Sequence, residues 1–189
     1  VEAARLYVNN GTNTPFSGAV GKDVTNKEDL TTAVAVGDLD GDGDLDFVTG
    51  NFGNFNRRYL NDGTGKFDSG EKIGTDLLLP LVTFEFDKYK FIVDYLKNAY
   101  VPDATVDIAL ADIDKDGDLD VIAANVGQAS RIYENNGKGE FYPGRDLGTE
   151  GNVTSSVVVA DVDNDGDLDR SEEHTSELQS HSDLVCRLL

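Results

Sequence analysis

The sequence predicts an all-β protein made of repeated units, each a meander of about four short antiparallel strands. A nine-residue Asp-rich segment occurs three times, beginning at residues 38, 112 and 161, and a second phrase built on Arg, Tyr, Asn and Gly recurs between these segments. Short runs rich in valine and alanine flank the Asp-rich segments, at a length typical of strands. A repeat of roughly 50 residues made of such strands is typical of β-propeller blades or of another stacked array.

Each unit begins with an apolar run that leads into the Asp-rich segment. The first strands are predicted at residues 32–36 and 106–110, and the returning strands at residues 46–49 and 120–123. Tyr59 lies in a short third strand that ends at Asn-Asp-Gly, a sequence that tolerates positive φ and therefore favours a tight turn. Tyr133 has the same place before Asn-Asn-Gly in the next unit.

The three Asp-rich segments, here called the Asp loops, read DLDGDGDLD, DIDKDGDLD and DVDNDGDLD. Their carboxylates repel one another unless a cation is shared. Positions 1, 3, 5 and 9 can offer side chains, position 7 can offer its backbone carbonyl, and Gly at position 6 permits a sharp turn. Hard oxygen ligands in a flexible loop favour Ca²⁺ over transition metals. The candidate ligands are Asp38, Asp40, Asp42, Asp44 and Asp46, then Asp112, Asp114, Asp116, Asp118 and Asp120, then Asp161, Asp163, Asp165, Asp167 and Asp169.

Two other kinds of structure share features with the Asp loops. An EF-hand needs a carboxylate at position 12 and flanking helices, but Thr49 and Ala123 stand there and the flanks are predicted strands. The same reasoning excludes the helical calcium repeats of dockerins. Acidic turns that merely solvate a hairpin are the second interpretation. A single Asp-rich turn would be compatible with it, but three matching nine-residue loops argue against it. The leucine at position 8 (Leu45, Leu119 and Leu168) is expected to turn inward and anchor each loop to the core.

Residues 1–169 resemble FG-GAP/VCBS-type repeats, the calcium-binding β-propeller blades also found in integrin α-subunits. The resemblance is carried by the three Asp loops and by the phrases RLYVNNGTNTPF, RRYLNDGTGKF and RIYENNGKGEF. Phe52-Gly53 matches the FG element, and Val126-Gly127 takes its place in the next unit. The resemblance implies a fragment of a β-propeller with four-stranded antiparallel blades. It also implies a metal in the hairpin loop between consecutive strands, held by the side chains at positions 1, 3, 5 and 9 and by the carbonyl at position 7.

The repeat pattern divides the chain into six predicted parts. They are a partial blade (1–29), a blade with the first Asp loop (30–76), an insertion (77–101), a blade with the second Asp loop (102–152), a truncated blade with the third (153–169) and a tail (170–189). Within the insertion, Val82, Phe84 and Phe86 alternate as in a strand, and helical spacing follows. Both a strand–helix excursion over a blade edge and an aromatic ligand surface remain open.

The tail differs in composition from the rest of the chain. It contains both histidines and the single cysteine, and it lacks Gly and Asn. Its sequence resembles the in-frame translation of a DNA-sequencing library adapter, which implies that it is foreign to the protein. We therefore expect the third Asp loop to lack its returning strand, with nothing to fix Asp169. Without the tail there is no His or Cys for Ser-His-Asp, Cys-His or zinc chemistry.

Charge and composition limit the functional classes. A net charge of −20 argues against duplex DNA and anionic membranes as partners, and no apolar run is long enough to span a bilayer. No segment of signal-peptide type is seen in this stretch. The sequence predicts a non-enzymatic, calcium-binding module of a secreted or cell-surface protein, for adhesion or for recognition of a protein or glycan ligand. The alternatives are a carbohydrate-binding or lyase propeller of a polysaccharide-processing enzyme, and a spacer domain.

Overall fold

The computed structural model describes residues 3–25, 27, 29–74, 103–148, 154–174 and 186–187. These ranges form strands and turns without a helix, which confirms the all-β prediction. It follows that they hold no helix able to cross a membrane. The predicted insertion at residues 77–101 lies outside the described residues, and its strand–helix pattern stays a prediction.

Four antiparallel sheets follow one another along the chain. The N-terminal hairpin pairs β1 (Arg5–Leu6) with β2 (Lys22–Asp23). The first blade contains β3 (Thr31–Gly37), β4 (Asp46–Asn51), β5 (Arg57–Tyr59) and β6 (Glu71–Lys72). The second blade contains β7 (Thr105–Ala111), β8 (Asp120–Asn125), β9 (Ser130–Tyr133) and β10 (Arg145–Leu147). The third blade contains β11 (Thr154–Ala160), β12 (Asp169–His174) and β13 (Cys186–Arg187).

The two complete blades are meanders in which each strand pairs with the next one in sequence. This order confirms the predicted four-stranded antiparallel blade, with strand ends one or two residues beyond the predicted ones. The pairs Gly37–Asp46, Ala111–Asp120 and Ala160–Asp169 close the first hairpin of each blade. Each Asp loop therefore lies at the tip of the hairpin between the first and second strands.

The core lies between blades rather than within them. Leu39 and Val48 of the first blade pack with Val121 and Tyr133 of the second. A separate cluster places Ile122 and Ile132 of the second blade against Val157 of the third. Since each sheet buries its apolar face only against a neighbour, stability depends on stacking, as in other repeat folds. The FG element takes part, because Gly53 N–H donates to the carbonyl of Asp103 at 2.9 Å.

The prediction that the leucine at position 8 anchors the loop to the core is wrong for the first Asp loop. Leu45 is 61% exposed, whereas Leu39 at position 2 is 1% exposed and lies in the core. In the second loop Leu119 is partly buried, with its side chain against Gly37 of the first blade. Position 2 therefore faces the following blade and position 8 the preceding one. Leu45 is exposed because no first strand of a preceding blade lies among the described residues.

The expectation that the third loop lacks a returning strand is also wrong. β12 pairs with β11 from residue 169 to residue 174, and Asp169 is 5% exposed. Val162 N–H donates to Asp169 Oδ2 at 3.0 Å, which is the bond that Ile113 N–H makes to Asp120 in the second loop. Strand pairing uses main-chain groups that nearly any sequence provides. The foreign origin of residues 170–189 and the predicted blade boundaries therefore stay predictions.

Candidate metal centres

Each Asp loop brings three carboxylates together at one point. In each group, one oxygen from every member lies within 4.8 Å of an oxygen from the other two. The groups are Asp38, Asp40 and Asp42; Asp112, Asp114 and Asp120; and Asp161, Asp163 and Asp169. The carboxylates at positions 1 and 3 thus converge in all three loops, as the spacing predicts. The third member is position 5 in the first loop and position 9 in the other two.

Backbone N–H groups close each loop around the carboxylate at position 1. The amide of the position 6 glycine donates to this carboxylate at 3.0 to 3.1 Å in all three loops. That glycine has φ between 88° and 100°, a conformation that residues with a Cβ rarely adopt. This confirms the prediction that Gly at position 6 permits a sharp turn, since the backbone turns there around the converging oxygens.

Position 4 is a second left-handed residue that sequence reasoning missed. Gly41, Lys115 and Asn164 occupy it, with φ values of 74°, 65° and 58°. Gly and Asn are the residues that most readily adopt this conformation, so the signal was present in two of the three loops. In the second loop Lys115 extends its ammonium group to the carboxylate of Asp167 in the third. The second and third Asp loops therefore contact each other directly.

In the two complete blades, the aspartate at position 9 joins the loop to the turn that follows the third strand. Asp120 is fully buried, and its two oxygens accept the N–H groups of Ile113 and Asn135 at 2.9 and 2.8 Å. Asp46 accepts the equivalent N–H groups of Leu39 and Asn61. A carboxylate has about four acceptor sites, so these bonds leave capacity for a cation. The asparagine of the repeated phrase therefore supports the site, a role the sequence analysis did not assign.

The aspartate at position 7 points its side chain away from the converging oxygens. The carboxylates of Asp44 and Asp118 lie so close to Gly63 and Gly137 that a Cβ at either glycine would overlap them. This contact explains why the Asn-x-Gly turn of the repeated phrase keeps its glycine. It leaves the backbone carbonyl as the group that position 7 would offer, and that role stays a prediction. The assignment of all fifteen aspartates as ligands is likewise a prediction.

The electrostatics of the loops favour a bound cation. Loss of hydration raises the pKa of Asp40, and the charges of Asp42 and Asp46 add to the rise. Loss of hydration also raises the pKa of Asp114 and of Asp120. In the third loop Asp161 Oδ1 is buried and accepts no hydrogen bond. A buried anionic oxygen without a donor is costly, and a cation shared with Asp163 and Asp169 would remove that cost.

The donor set fits calcium. Carboxylate and carbonyl oxygens are hard ligands, and Ca²⁺ accepts about six to eight of them in irregular geometry. The side chains at positions 1 and 3, with those at position 5 or 9, would hold the ion, and water would complete its coordination. A calcium ion there would supply positive charge and no redox chemistry, so its contribution is to neutralise and fix the loop.

The fold and these loops define a class of acidic-loop β-propeller repeats. The FG-GAP-like repeat model matches residues 102–170, and the FG-GAP repeat model matches residues 30–65. The two matches together cover more than half of the 189 residues, and the chain belongs to the FG-GAP repeat family. This confirms the resemblance seen in the sequence. No curated protein matches the chain. The first match ends at Arg170, where the composition changes.

Substitution of two glycines, one inside an Asp loop and one outside, separates the effect of the loop turn on stability from its effect on calcium binding. Gly117 and Gly127 have φ of 100° and 70°, and a Cβ at either would contact no other atom. Gly117→Ala and Gly127→Ala are each expected to cost about 1–2 kcal/mol of unfolding free energy in chelator because of the left-handed backbone. Only Gly117→Ala should also lose calcium-induced stabilisation. Urea unfolding with calcium and with chelator measures both effects; equal calcium gains in the two variants would contradict this prediction.

Proposed function

We propose that this chain is a non-enzymatic, calcium-binding β-propeller module of a secreted or cell-surface protein, which serves adhesion or ligand recognition. The observation that supports it most is the convergence of carboxylates in all three Asp loops, each closed by the amide of a position 6 glycine. FG-GAP repeats often bind calcium, which agrees with this geometry.

Calcium in these loops would act on structure. Each loop lies at the tip of a blade hairpin, and in the two complete blades its buried position 9 aspartate accepts from the N–H of the asparagine that follows the third strand. A cation that neutralises the converging carboxylates would thereby fix the first hairpin of a blade together with the turn that follows its third strand. Calcium would also stabilise the stacked interface, because position 2 of the first loop is part of the core between blades.

Calcium binding can be tested one loop at a time. The amide of Gly117 donates to Asp112 inside the second loop, so its NMR resonance reports on that loop. Asp114→Asn is expected to raise the calcium dissociation constant seen at Gly117 by about tenfold or more, since affinity depends on ligand charge. The matched control is Asp118→Asn, which removes an equal charge from a side chain that points away from the converging oxygens.

Two results would argue against the proposal. A parent chain whose position 6 glycine resonances do not move at millimolar calcium would show that the loops are acidic turns without a metal role. Equal weakening by Asp114→Asn and Asp118→Asn would show that calcium responds to net charge and not to a built site.

The proposed location and ligand follow from the family and the metal. FG-GAP repeats are typical of extracellular or surface proteins, and calcium sites of extracellular modules bind at about 10⁻⁴–10⁻³ M. A protein or glycan ligand would then bind the loops of the propeller face. Binding to a glycan array and to immobilised matrix proteins, each with calcium and with chelator, tests this. Cleavage of acidic polysaccharides by the chain would instead support the polysaccharide-processing alternative.

A further inference from the structure

Asn135 connects the two complete blades at their Asp loops. It is 2% exposed, and its Nδ2 donates to the carbonyl of Leu39 in the first loop at 2.8 Å and to that of Leu119 in its own blade at 3.1 Å. Its backbone N–H donates to Asp120 Oδ1 at 2.8 Å. One buried side chain therefore bonds to the first loop while its backbone is bonded to position 9 of the second.

Leu39 is the residue in the first loop on which this bond acts. It stands between Asp38 and Asp40, two of the three converging carboxylates. Its N–H donates to Asp46 Oδ2 at 2.9 Å, its carbonyl accepts from Asn135, and its side chain is buried between the blades. A continuous path of hydrogen bonds thus runs from Asp46 through Leu39 and Asn135 to Asp120.

Asn61 is the equivalent residue of the first blade and provides an internal comparison. Its N–H donates to Asp46 Oδ1 at 2.7 Å, its Nδ2 donates to Leu45 O at 3.2 Å, and its Oδ1 accepts from Gly65 N–H. Asn135 makes the first two contacts within its own blade, and its Oδ1 accepts from Gly137 N–H, two residues further along the chain. Within the described part of the chain, the bond to a neighbouring Asp loop is recorded for Asn135 and not for Asn61.

We propose that Asn135 is a positioning residue for the first Asp loop, so that this loop is complete only when the second blade is docked. Calcium occupancy of the first and second loops is then coupled through Asn135, an inference that rests on the proposed calcium function. The physical reason is that Asp38 and Asp40 are fixed relative to each other by the backbone of Leu39. That backbone bonds to Asn135, and the same residue bonds to Asp120 of the second converging group.

A double-mutant cycle in the full chain tests the coupling. The calcium affinity of the first loop is followed at the amide of Gly43, which donates to Asp38. Silencing the second loop with Asp114→Asn is expected to weaken calcium binding at Gly43 by about fivefold, within the usual range of coupling. In an Asn135→Ala background the same substitution should leave the affinity at Gly43 unchanged. In an Asn61→Ala background the fivefold effect should persist.

The opposite pattern would overturn the inference. An Asp114→Asn effect at Gly43 that survives in Asn135→Ala, or that is missing in the parent chain, shows that the loops are independent. If Asn135→Ala does not fold, Asn135→Ser is used, because a serine hydroxyl can still accept from Gly137 N–H but is too short to reach the carbonyl of Leu39.

Hydrogen exchange without calcium separates this inference from the proposed function. In chelator, Asn135→Ala is expected to speed exchange of the Leu39 amide, whereas Asn61→Ala should leave the amides of the second loop unchanged. A parent chain without any calcium response would overturn the proposed function and with it the coupling of occupancy. Hydrogen exchange in chelator would then be the one test of the positioning role. A Leu39 amide that exchanges equally fast in Asn135→Ala and in the parent chain would overturn that role as well.

Discussion

Removal of calcium is expected to lower the melting temperature of this chain by roughly 10–30 °C. Each loop that binds calcium in the folded state alone contributes about 1.4–2.7 kcal/mol at a ten- to hundredfold excess of calcium over its dissociation constant. Three loops together would contribute about 4–8 kcal/mol, and about 2–4 °C accompanies each kcal/mol in a domain of this size. Differential scanning calorimetry with calcium and with chelator measures the change.

Two controls show whether the effect belongs to the loops. Magnesium at the same concentration should restore little of the lost stability, because Mg²⁺ demands regular octahedral geometry and gives up its water reluctantly. Added sodium chloride should restore only that part of the lost stability which arises from general charge repulsion in a chain of net charge −20. Equal melting in calcium and in chelator would contradict the structural role of the metal.

Much of the fold could be predicted because the repeat supplies its own evidence. The strand pairs around the Asp loops follow from apolar runs between repeated turn residues. The strands β3 and β7 each extend one residue beyond the predicted strand at both ends. Burial of the loop leucines could not be predicted in the same way. Leu39 and Leu45 occupy one nine-residue segment, and only the stacking order of the blades decides that Leu39 is buried and Leu45 exposed.

The converging aspartates were likewise predictable in part. Alternation of Asp at positions 1 and 3 was enough to place their carboxylates together. The support from Asn135 was not predictable, because that residue lies 96 positions from Leu39 and its bond crosses between blades. Recurrence of the asparagine in every copy of the repeated phrase signals only the contacts within a blade, which Asn61 and Asn135 share.

The arginine and tyrosine of the repeated phrase have a structural role of the same kind. Arg131 Nη1 donates to Asp103 Oδ1 at 3.1 Å, and the Tyr133 hydroxyl donates to Asp103 Oδ2. Asn56 of the first blade donates to the same carboxylate at 3.3 Å. In the first blade Arg57 pairs with Asp29 at 2.6 Å, which is the equivalent contact. In the two complete blades, the aspartate two residues before the first strand therefore receives the arginine of its own blade.

Asp103→Ala is expected to be the most damaging single substitution in this network, with a loss of about 3–5 kcal/mol of unfolding free energy. Burial raises the pKa of Asp103, while the hydrogen bond from Tyr133 and the charge of Arg131 act in the opposite direction. Removal of the carboxylate leaves the buried Tyr133 hydroxyl and one side of the Arg131 guanidinium without an acceptor. Since total stability is about 5–15 kcal/mol, such a loss brings the chain close to unfolding.

Asp146→Ala provides the matched control because Asp146 pairs with the same arginine from the surface. Its side chain is 57% exposed and accepts from Arg131 Nε at 2.8 Å. An exposed ion pair contributes about 1 kcal/mol or less, so this variant should stay near the parent in urea unfolding at saturating calcium. Similar losses for the two variants would mean that the network acts through the charge of Arg131. A loss confined to Asp103→Ala places the effect in the buried bonds that Asp103 accepts from Tyr133 and Arg131 of its own blade and from Asn56 of the first.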